Sequence, residues 1–385
     1  MATHNRGCET VDVRTVGVEE ELLLVDAHSG HPLSVSAQVL RAAEARGGAD
    51  PHPDQPGGSL QQEFQQEQVE TDTAPVADML ELQAELRSWR DRAGAAASDA
   101  NARLVATGTS PLPVEPTMVH HPRFEKMAER FGLTANEQLT CGCHVHVAVE
   151  SDHEAVGVLD RIREWLPAIL ALSANSPLWQ GRDTRYASFR SQAMARWPSA
   201  GPNDVFGSTD AYRQRIEAMV ASGVILDEAM IYADARAAQR YPTVEIRVAD
   251  VCLDVRDTVL IAALCRALVE TAARQWADGQ SPIGTPTALL RLAMWQAGKD
   301  GIGGQLLDPQ RLVPRPAREV VAMLLDHTRS ALRSNGDEAL VRDRIEQVLA
   351  VGRGARRQRS VLERTGQLSE VVLDLALVTA GHQRR

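Results

Sequence analysis

Three segments of the chain alternate apolar and ionisable residues with a period of two, and this alternation decides the architecture. A strand with that pattern has one face suited to a core and one face that a core would reject. In Thr15–Leu23, Glu19 and Glu21 share a face, while Val16, Val18 and Leu22 share the other with Glu20. In Leu139–Val147, His144 and His146 fall with Gly142, opposite Cys141, Cys143, Val145 and Val147. In Thr243–Val248, Glu245 and Arg247 oppose Val244, Ile246 and Val248. A fourth segment, Glu63–Thr71, is less regular: Glu63 and Glu67 share parity, so bringing Glu63 and Glu70 to one face needs a bulge. Each pattern alone has an ordinary explanation: a solvated edge strand, a hydrogen-bonded core histidine (for His146 above all), or a cross-strand ion pair. Together they describe a sheet with helices on its apolar face and Glu, His and Arg on the other. Gly142, on the histidine face, would leave room there for a ligand.

Around these strands the pattern predicts a frayed start (residues 1–10), a first strand over Val11–Asp26, a helix over Ser34–Arg46 and a loop over Gly47–Gly58. Leu60–Thr73 reads as extended chain, Val76–Asn101 as a long helix and Leu104–Thr109 as a short strand. Helices are expected over Arg123–Phe131, His153–Ala174 and Thr209–Ser222, with an irregular Arg-, Trp- and Pro-rich stretch at Asn175–Gly207. A strand at Ile231–Arg236 accompanies the one at Thr243–Val248. Beyond Asp254 nearly all is helical: Arg256–Ala277, Thr287–Gln296, Ala317–Ser334, Glu338–Val351 and Gln358–Ala380. The polar stretch Gly279–Pro286 is the best candidate boundary.

Composition excludes several classes. Of 385 residues, 44% are hydrophobic, enough for a sizeable core. The net charge of -10 argues against non-specific nucleic-acid binding. The only lysines are Lys126 and Lys299, and neither sits in a P-loop, so any phosphate handling must rest on arginine and metal. Five cysteines without framework spacing argue against a disulfide scaffold. Met1–Glu9 lacks the apolar run of a signal peptide, and no stretch is long enough for a membrane span, so a cytoplasmic protein is expected.

A sheet face of carboxylates is costly unless cations neutralise it. Glutamate oxygens with at most one histidine suit Mg²⁺ or Mn²⁺. Such ions would bridge nucleotide phosphates, and Arg247 would face the phosphoryl group in transfer. The alternative from the same residues is a hydrolase holding Zn²⁺ on His144, His146 and Glu19.

Gly17–Leu22, Glu63–Thr73, Cys141–Val147, Ser173–Pro177, Gly181–Thr184 with Tyr186–Ser188, and Thr243–Asp250 occur in this order. In this the chain resembles the type 2 glutamate–cysteine ligases, or carboxylate-amine ligases, of the glutamine synthetase and guanidino kinase superfamily. The resemblance covers roughly residues 11–275. It implies an α+β fold: a curved antiparallel sheet forming an active-site funnel, packed with helices, with a mostly helical C-terminal region. It makes 11–278 the catalytic core and 279–385 a helical part packed on it. It implies Mg²⁺ (or Mn²⁺), with Glu19, Glu21, Glu63, Glu70, His144 and Glu245 as ligands, and ATP as co-substrate. Arg247, with Glu245, would serve catalysis. Arg182, Asp183, Ser188, Arg190, Asp234 and Arg236 fall where substrate contacts are expected, the arginines on the nucleotide. Arg185 departs from the small residue usual in the family, and Glu67 reads as a neighbour, not a ligand. The implied reaction joins glutamate to an amine, by default cysteine, through an acyl-phosphate, releasing ADP and phosphate. Its partners would be small molecules, with no nucleic acid or membrane and with a homodimer left open. A catalytically silent homologue is the remaining alternative.

Overall fold

The computed structural model describes residues 13–47, 57–352 and 354–382. The expectations for residues 1–10, for the first residues of the strand begun at Val11, and for most of the Gly47–Gly58 loop lie outside these. β1 (Val16–Asp26) runs through the middle of the main sheet. It is followed in the chain by α1 (Ser36–Ala45), β2 (Ser59–Gln62), β3 (Gln68–Asp72), α2 (Met79–Asp99) and β4 (Ala102–Val105). Then come α3 (Pro122–Phe131), α4 (Leu133–Asn136), β5 (Gly142–Ala148), α5 (Asp152–Ile162) and α6 (Leu166–Ser173). A ribbon of β6 (Leu178–Trp179) and β7 (Arg182–Asp183), the short α7 (Arg190–Met194) and α8 (Thr209–Ala221) lead to β8 (Ala235–Ala237) and β9 (Thr243–Asp250). The rest is almost all helical: α9 (Val255–Ala277), α10 (Thr287–Asp300), α11 (Ala317–Asn335), α12 (Glu338–Val351), α13 (Gly354–Thr365) and α14 (Leu368–Thr379).

Seven strands form one antiparallel sheet in the order β2-β3-β1-β5-β9-β8, with β4 also paired to β1. β1 pairs with β5 through Val16–Glu20 and with β4 through Leu23–Asp26, so β4 takes over where β5 ends. The fold is thus α+β, with an open antiparallel sheet lining a funnel and helices behind it.

The apolar faces of β1, β5 and β9 meet those helices. Val16, Val18, Val145, Val147, Val244 and Ile246 are buried in one cluster with Leu260, Leu264 and Leu268 of α9. Leu324 and Leu332 of α11 and Val341 and Ile345 of α12 belong to the same cluster, so residues beyond 286 share the core of those before it. Cys143 joins this cluster and Cys141 a neighbouring one, and burial pushes both thiols well up from their ordinary range.

Several expected elements divide. Leu60–Thr73 is a hairpin, β2 and β3, rather than one extended run. His153–Ala174 breaks into α5, a 3-10 turn at Arg163–Trp165 and α6, where Pro167 sits in the first turn of the new helix. Gln358–Ala380 breaks at Gly366, whose φ of 68° suits a residue without a side chain. Ile231–Arg236 is largely irregular, with the strand confined to Ala235–Ala237.

Candidate active site

The residues that alternation sets on the polar sheet face meet at the floor of a cleft of about 480 Å³. Strand register pairs them across neighbours: Glu19 lies opposite His144, Glu21 opposite Glu70, and His146 opposite Glu245. The Glu19 carboxylate shares hydrogen bonds with His144 Nδ1 at 2.8 Å and His146 Nε2 at 3.1 Å. Glu21 accepts from the Gly142 amide at 2.6 Å and lies 3.9 Å from His144 Nε2. Arg236 donates through Nε to Glu245 at 2.6 Å, and Arg247 donates to the other oxygen of the same carboxylate. Two donor sets result, Glu19–His144–Glu245 and Glu21–Glu70–His144, each with ligand atoms within 4.8 Å of one another. Either could hold a divalent cation, and His144 belongs to both.

Glu63 reaches the cleft from the loop after β2. No bulge aligns it with Glu70: the chain reverses between them, and the hairpin brings the two carboxylates together. That proximity has an electrostatic consequence. Burial, then Glu19, Glu63 and Glu21, push the Glu70 carboxyl well above the usual range. Burial raises Glu21 as well. Burial also opposes ionisation of Glu19, but hydrogen bonds to His144 and His146 outweigh it and hold that carboxyl well below its ordinary value. Burial and the Arg247 charge lower His144. Glu245 is buried, yet Arg247 and Arg236 hold it at about 2. The site therefore carries more carboxylate than its own cations balance, and a set of oxygens with one shared imidazole suits a hard divalent ion.

The other expected residues distribute unevenly. Arg236 lines the cleft wall through its pair with Glu245. Arg190 is buried, donating to the carbonyls of Val248 and Arg247. The space at Gly142 is filled by this side chain, not left for a ligand: a Cβ there would lie 2.3 Å from Arg190 Nη2. Arg182 is exposed on the β6–β7 ribbon and does not line the cleft. Asp183 beside it pairs with Arg359 of α13 at 2.8 Å. Ser188 donates to Asp250 at 2.8 Å. Arg185 holds a φ of 63°, with its carbonyl accepting from Lys299 Nζ at 2.6 Å, so that lysine ties a loop down. Glu67 turns away from the cleft and accepts from Ser34 Oγ and the Thr117 amide. His146, which a zinc-hydrolase arrangement needs as ligand, belongs to neither donor set; its Nδ1 bonds Thr243 Oγ1 and its Nε2 bonds Glu19.

Two buried carboxylates of β1 and β9 lie outside the cleft's donor sets, Glu20 on the apolar face where parity sets it and Asp250 against its parity. Glu20, the middle of three consecutive glutamates, points into the helical layer. It meets Arg90 of α2 in a two-pronged pair, both bonds 2.7 Å, and accepts from Thr258 Oγ1. Asp250 has the parity of Val248 but faces the other way. The register between β5 and β9 shifts: Cys143 pairs with Ala249 and Val145 with Ile246, an extra residue on β9. Beyond that bulge Asp250 opposes Gly142 and accepts from the Asn175 amide, Ser176 Oγ and Ser188 Oγ. It thereby fixes the loop that carries Arg190.

The funnel thus gathers clustered carboxylates, a shared imidazole and an adjoining pair of arginines. The fold matches that of a solved ligase: a glutamate–cysteine ligase from Francisella tularensis, in complex with AMP, superposes with a TM-score of 0.69 over 96% of this chain and 88% of that one, at 13% identity. The ligase PafA, solved in complex with the prokaryotic ubiquitin-like protein Pup, gives 0.56 over 97% and 76% at 14% identity. These likenesses are of fold, and the class they define is a ligase fold. The chain belongs to glutamate-cysteine ligase family 2 (GCS2), whose model matches residues 15–374. A Streptomyces avermitilis protein provisionally named glutamate–cysteine ligase 2-1 is 50% identical, covering 96% of this chain and all of its own length. A Streptomyces coelicolor protein with a similar provisional name is also 50% identical, over 94% and 97%. Membership of this family supports a ligase that joins a carboxylate to an amine. Among the described residues no helix is long and apolar enough to cross a membrane.

Proposed function

We propose that the chain joins glutamate to an amine, cysteine being the default acceptor, through a γ-glutamyl phosphate made from ATP, with ADP and phosphate released. The observation that carries this reading is the pair of donor sets sharing His144, with Arg247 at their edge. Glu19, Glu21, Glu63, Glu70, His144 and Glu245 would hold Mg²⁺ or Mn²⁺. When bound, these ions neutralise phosphate charge that the carboxylates alone would repel. Arg247 contributes fixed positive charge where the phosphoryl oxygens gain negative charge, and Glu245 and Arg236 keep it oriented. Arg190 backs Arg247 by binding its carbonyl, and Arg236 reaches the nucleotide from the cleft wall. Arg182 contributes nothing to this cleft. A cytoplasmic setting, where ATP is made, accompanies the reading.

The test supplies purified protein with ATP, glutamate and hydroxylamine, which traps an acyl-phosphate as a hydroxamate. Glutamyl hydroxamate and ADP should appear together, vanish in excess EDTA and return with Mg²⁺. AMP in place of ADP, or full activity in EDTA, would overturn the proposal.

A further inference from the structure

A second chamber, of about 390 Å³, adjoins the cleft. Arg190, Met194, Trp197, Tyr232 and Arg247 line both, so the side chain assigned to the phosphoryl group stands at the doorway between them. The chamber contains Asp234, whose backbone carbonyl accepts from the Arg247 amide at 2.9 Å. The Asp234 Oδ2 atom is buried without a hydrogen-bond partner among the described residues. Burial pushes this carboxyl up to about 7, against the pull of Arg291 and Arg190. A buried acceptor left this way is costly, and a cationic donor would recover the loss. Trp295, Met294 and Pro198 supply an apolar wall, and Arg291 borders the same space.

The opposite flank of the cleft differs. A slot of about 240 Å³ borders Glu19 and His146 and is walled by Val18, Pro75, Ala148 and Pro242. A flat purine suits that slot, with N–H donors to offer the Asp72 carboxylate that also lines it. The chamber, by contrast, asks for a cation joined to an apolar body. It exceeds the lower bound of about 300 Å³ for sites that enclose a drug-sized ligand, which is far more room than a thiol side chain needs.

Resting on the ligase reading, we propose that this chamber receives the acceptor amine, and that the acceptor carries a bulky apolar or aromatic body: its ammonium docks at Asp234 and gives that carboxylate a proton, its body lies against Trp295, and the freed amine forms the amide by displacing phosphate from the γ-glutamyl phosphate. Cysteine then becomes a poor fit. The experiment follows ADP release by the full chain with ATP and glutamate, using cysteine, L-phenylalanine and phenethylamine in turn. Hydroxylamine runs in parallel as the small trap. At least one aromatic arm should exceed cysteine by about 10-fold in kcat/KM, and which arm wins tells whether a carboxylate beside Arg291 helps. Trp295→Ala should erase that preference. Asp234→Asn should raise the KM for the amine about 10-fold while the KM for ATP moves less than about 2-fold. Cysteine equal to or better than both aromatic amines, with hydroxamate still formed, overturns the chamber assignment and leaves the ligase reading intact. A rise in KM for ATP alone in Trp295→Ala also overturns it, because the chamber would then belong to the nucleotide base. Absence of hydroxamate overturns both.

Discussion

Arg247 sits between a carboxylate that it neutralises and an imidazole that it discourages from taking up a proton. Both effects follow from one half-buried guanidinium on the sheet face, and it is the guanidinium's shape that a lysine would not replace. Lysine carries all its N–H donors on one nitrogen, so it cannot reproduce the planar, spread donor pair that reaches Glu245 on one side and a phosphate on the other. Arg247→Lys is expected to lower kcat by roughly 100-fold or more with a much smaller change in KM for ATP, read by steady-state kinetics. A turnover near wild type would make Arg247 a structural ion-pair partner. Glu70 carries the opposite lesson. Its carboxyl is raised by burial and by three neighbouring glutamates, so the folded chain resists an ionisation that the unfolded chain accepts freely. The sign follows: this group favours the fold below the ordinary glutamate value of about 4.5 and progressively disfavours it as pH rises toward the raised value. In EDTA, Glu70→Gln should therefore melt higher than wild type at neutral pH, and the gain should shrink as the pH falls toward 4.5. A gain independent of pH would remove charge repulsion as its cause.

The strands show where reading by parity works and where it stops. β1, β5 and the part of β9 up to Arg247 keep strict alternation, so Glu19, Glu21, His144, His146, Glu245 and Arg247 are legible in the sequence as one face. Asp250 was lost because one extra residue on β9 inverts the alternation after Arg247. Glu63 and Glu70 were joined by a wrong device, since a chain reversal between short strands leaves no mark in a run of Gln and Glu. Arg90 was invisible for another reason: its partner lies 70 residues away, and nothing in a helix sequence says which buried carboxylate it will meet. Gly142 leaves space on the polar face, as its lack of a side chain implies, but Arg190 fills that space. That correction gives an expectation for the element. Gly142→Ala should push the Arg190 guanidinium off the β9 carbonyls, costing about 1–3 kcal/mol of stability. Turnover should fall with it, because Arg190 braces the carbonyl of Arg247. Calorimetry and kinetics check this together; wild-type values in both would mean the loop yields without loss.

Across the whole molecule, the helices after residue 286 complete the core instead of adding a second one. Leu306, Val320, Leu324, Leu332, Val341 and Ile345 are buried in the cluster that α9 and the sheet begin. The last helices also reach back to the site: Gln358 of α13 donates to the Asn175 carbonyl, and the Ala106 amide donates to Thr379 of α14. A chain cut after Asp278 would expose that cluster, and it is expected to be insoluble or to lack a cooperative melt by near-ultraviolet circular dichroism. A soluble fragment with a sharp transition would show that residues 13–278 stand alone. The three consecutive glutamates act at this scale too, as a proofreading device for assembly. If β1 slipped by one residue against its neighbours, Glu19 and Glu21 would enter the apolar layer with a single arginine, Arg90, to meet them, and Glu20 would abandon its seat on that arginine for the open cleft. Every odd-numbered misalignment is thus rejected twice over, on both sides of the sheet. With two of the three residues facing the cleft and the third seated on a buried arginine, the folding chain can recognise when its central strand has landed in the right place.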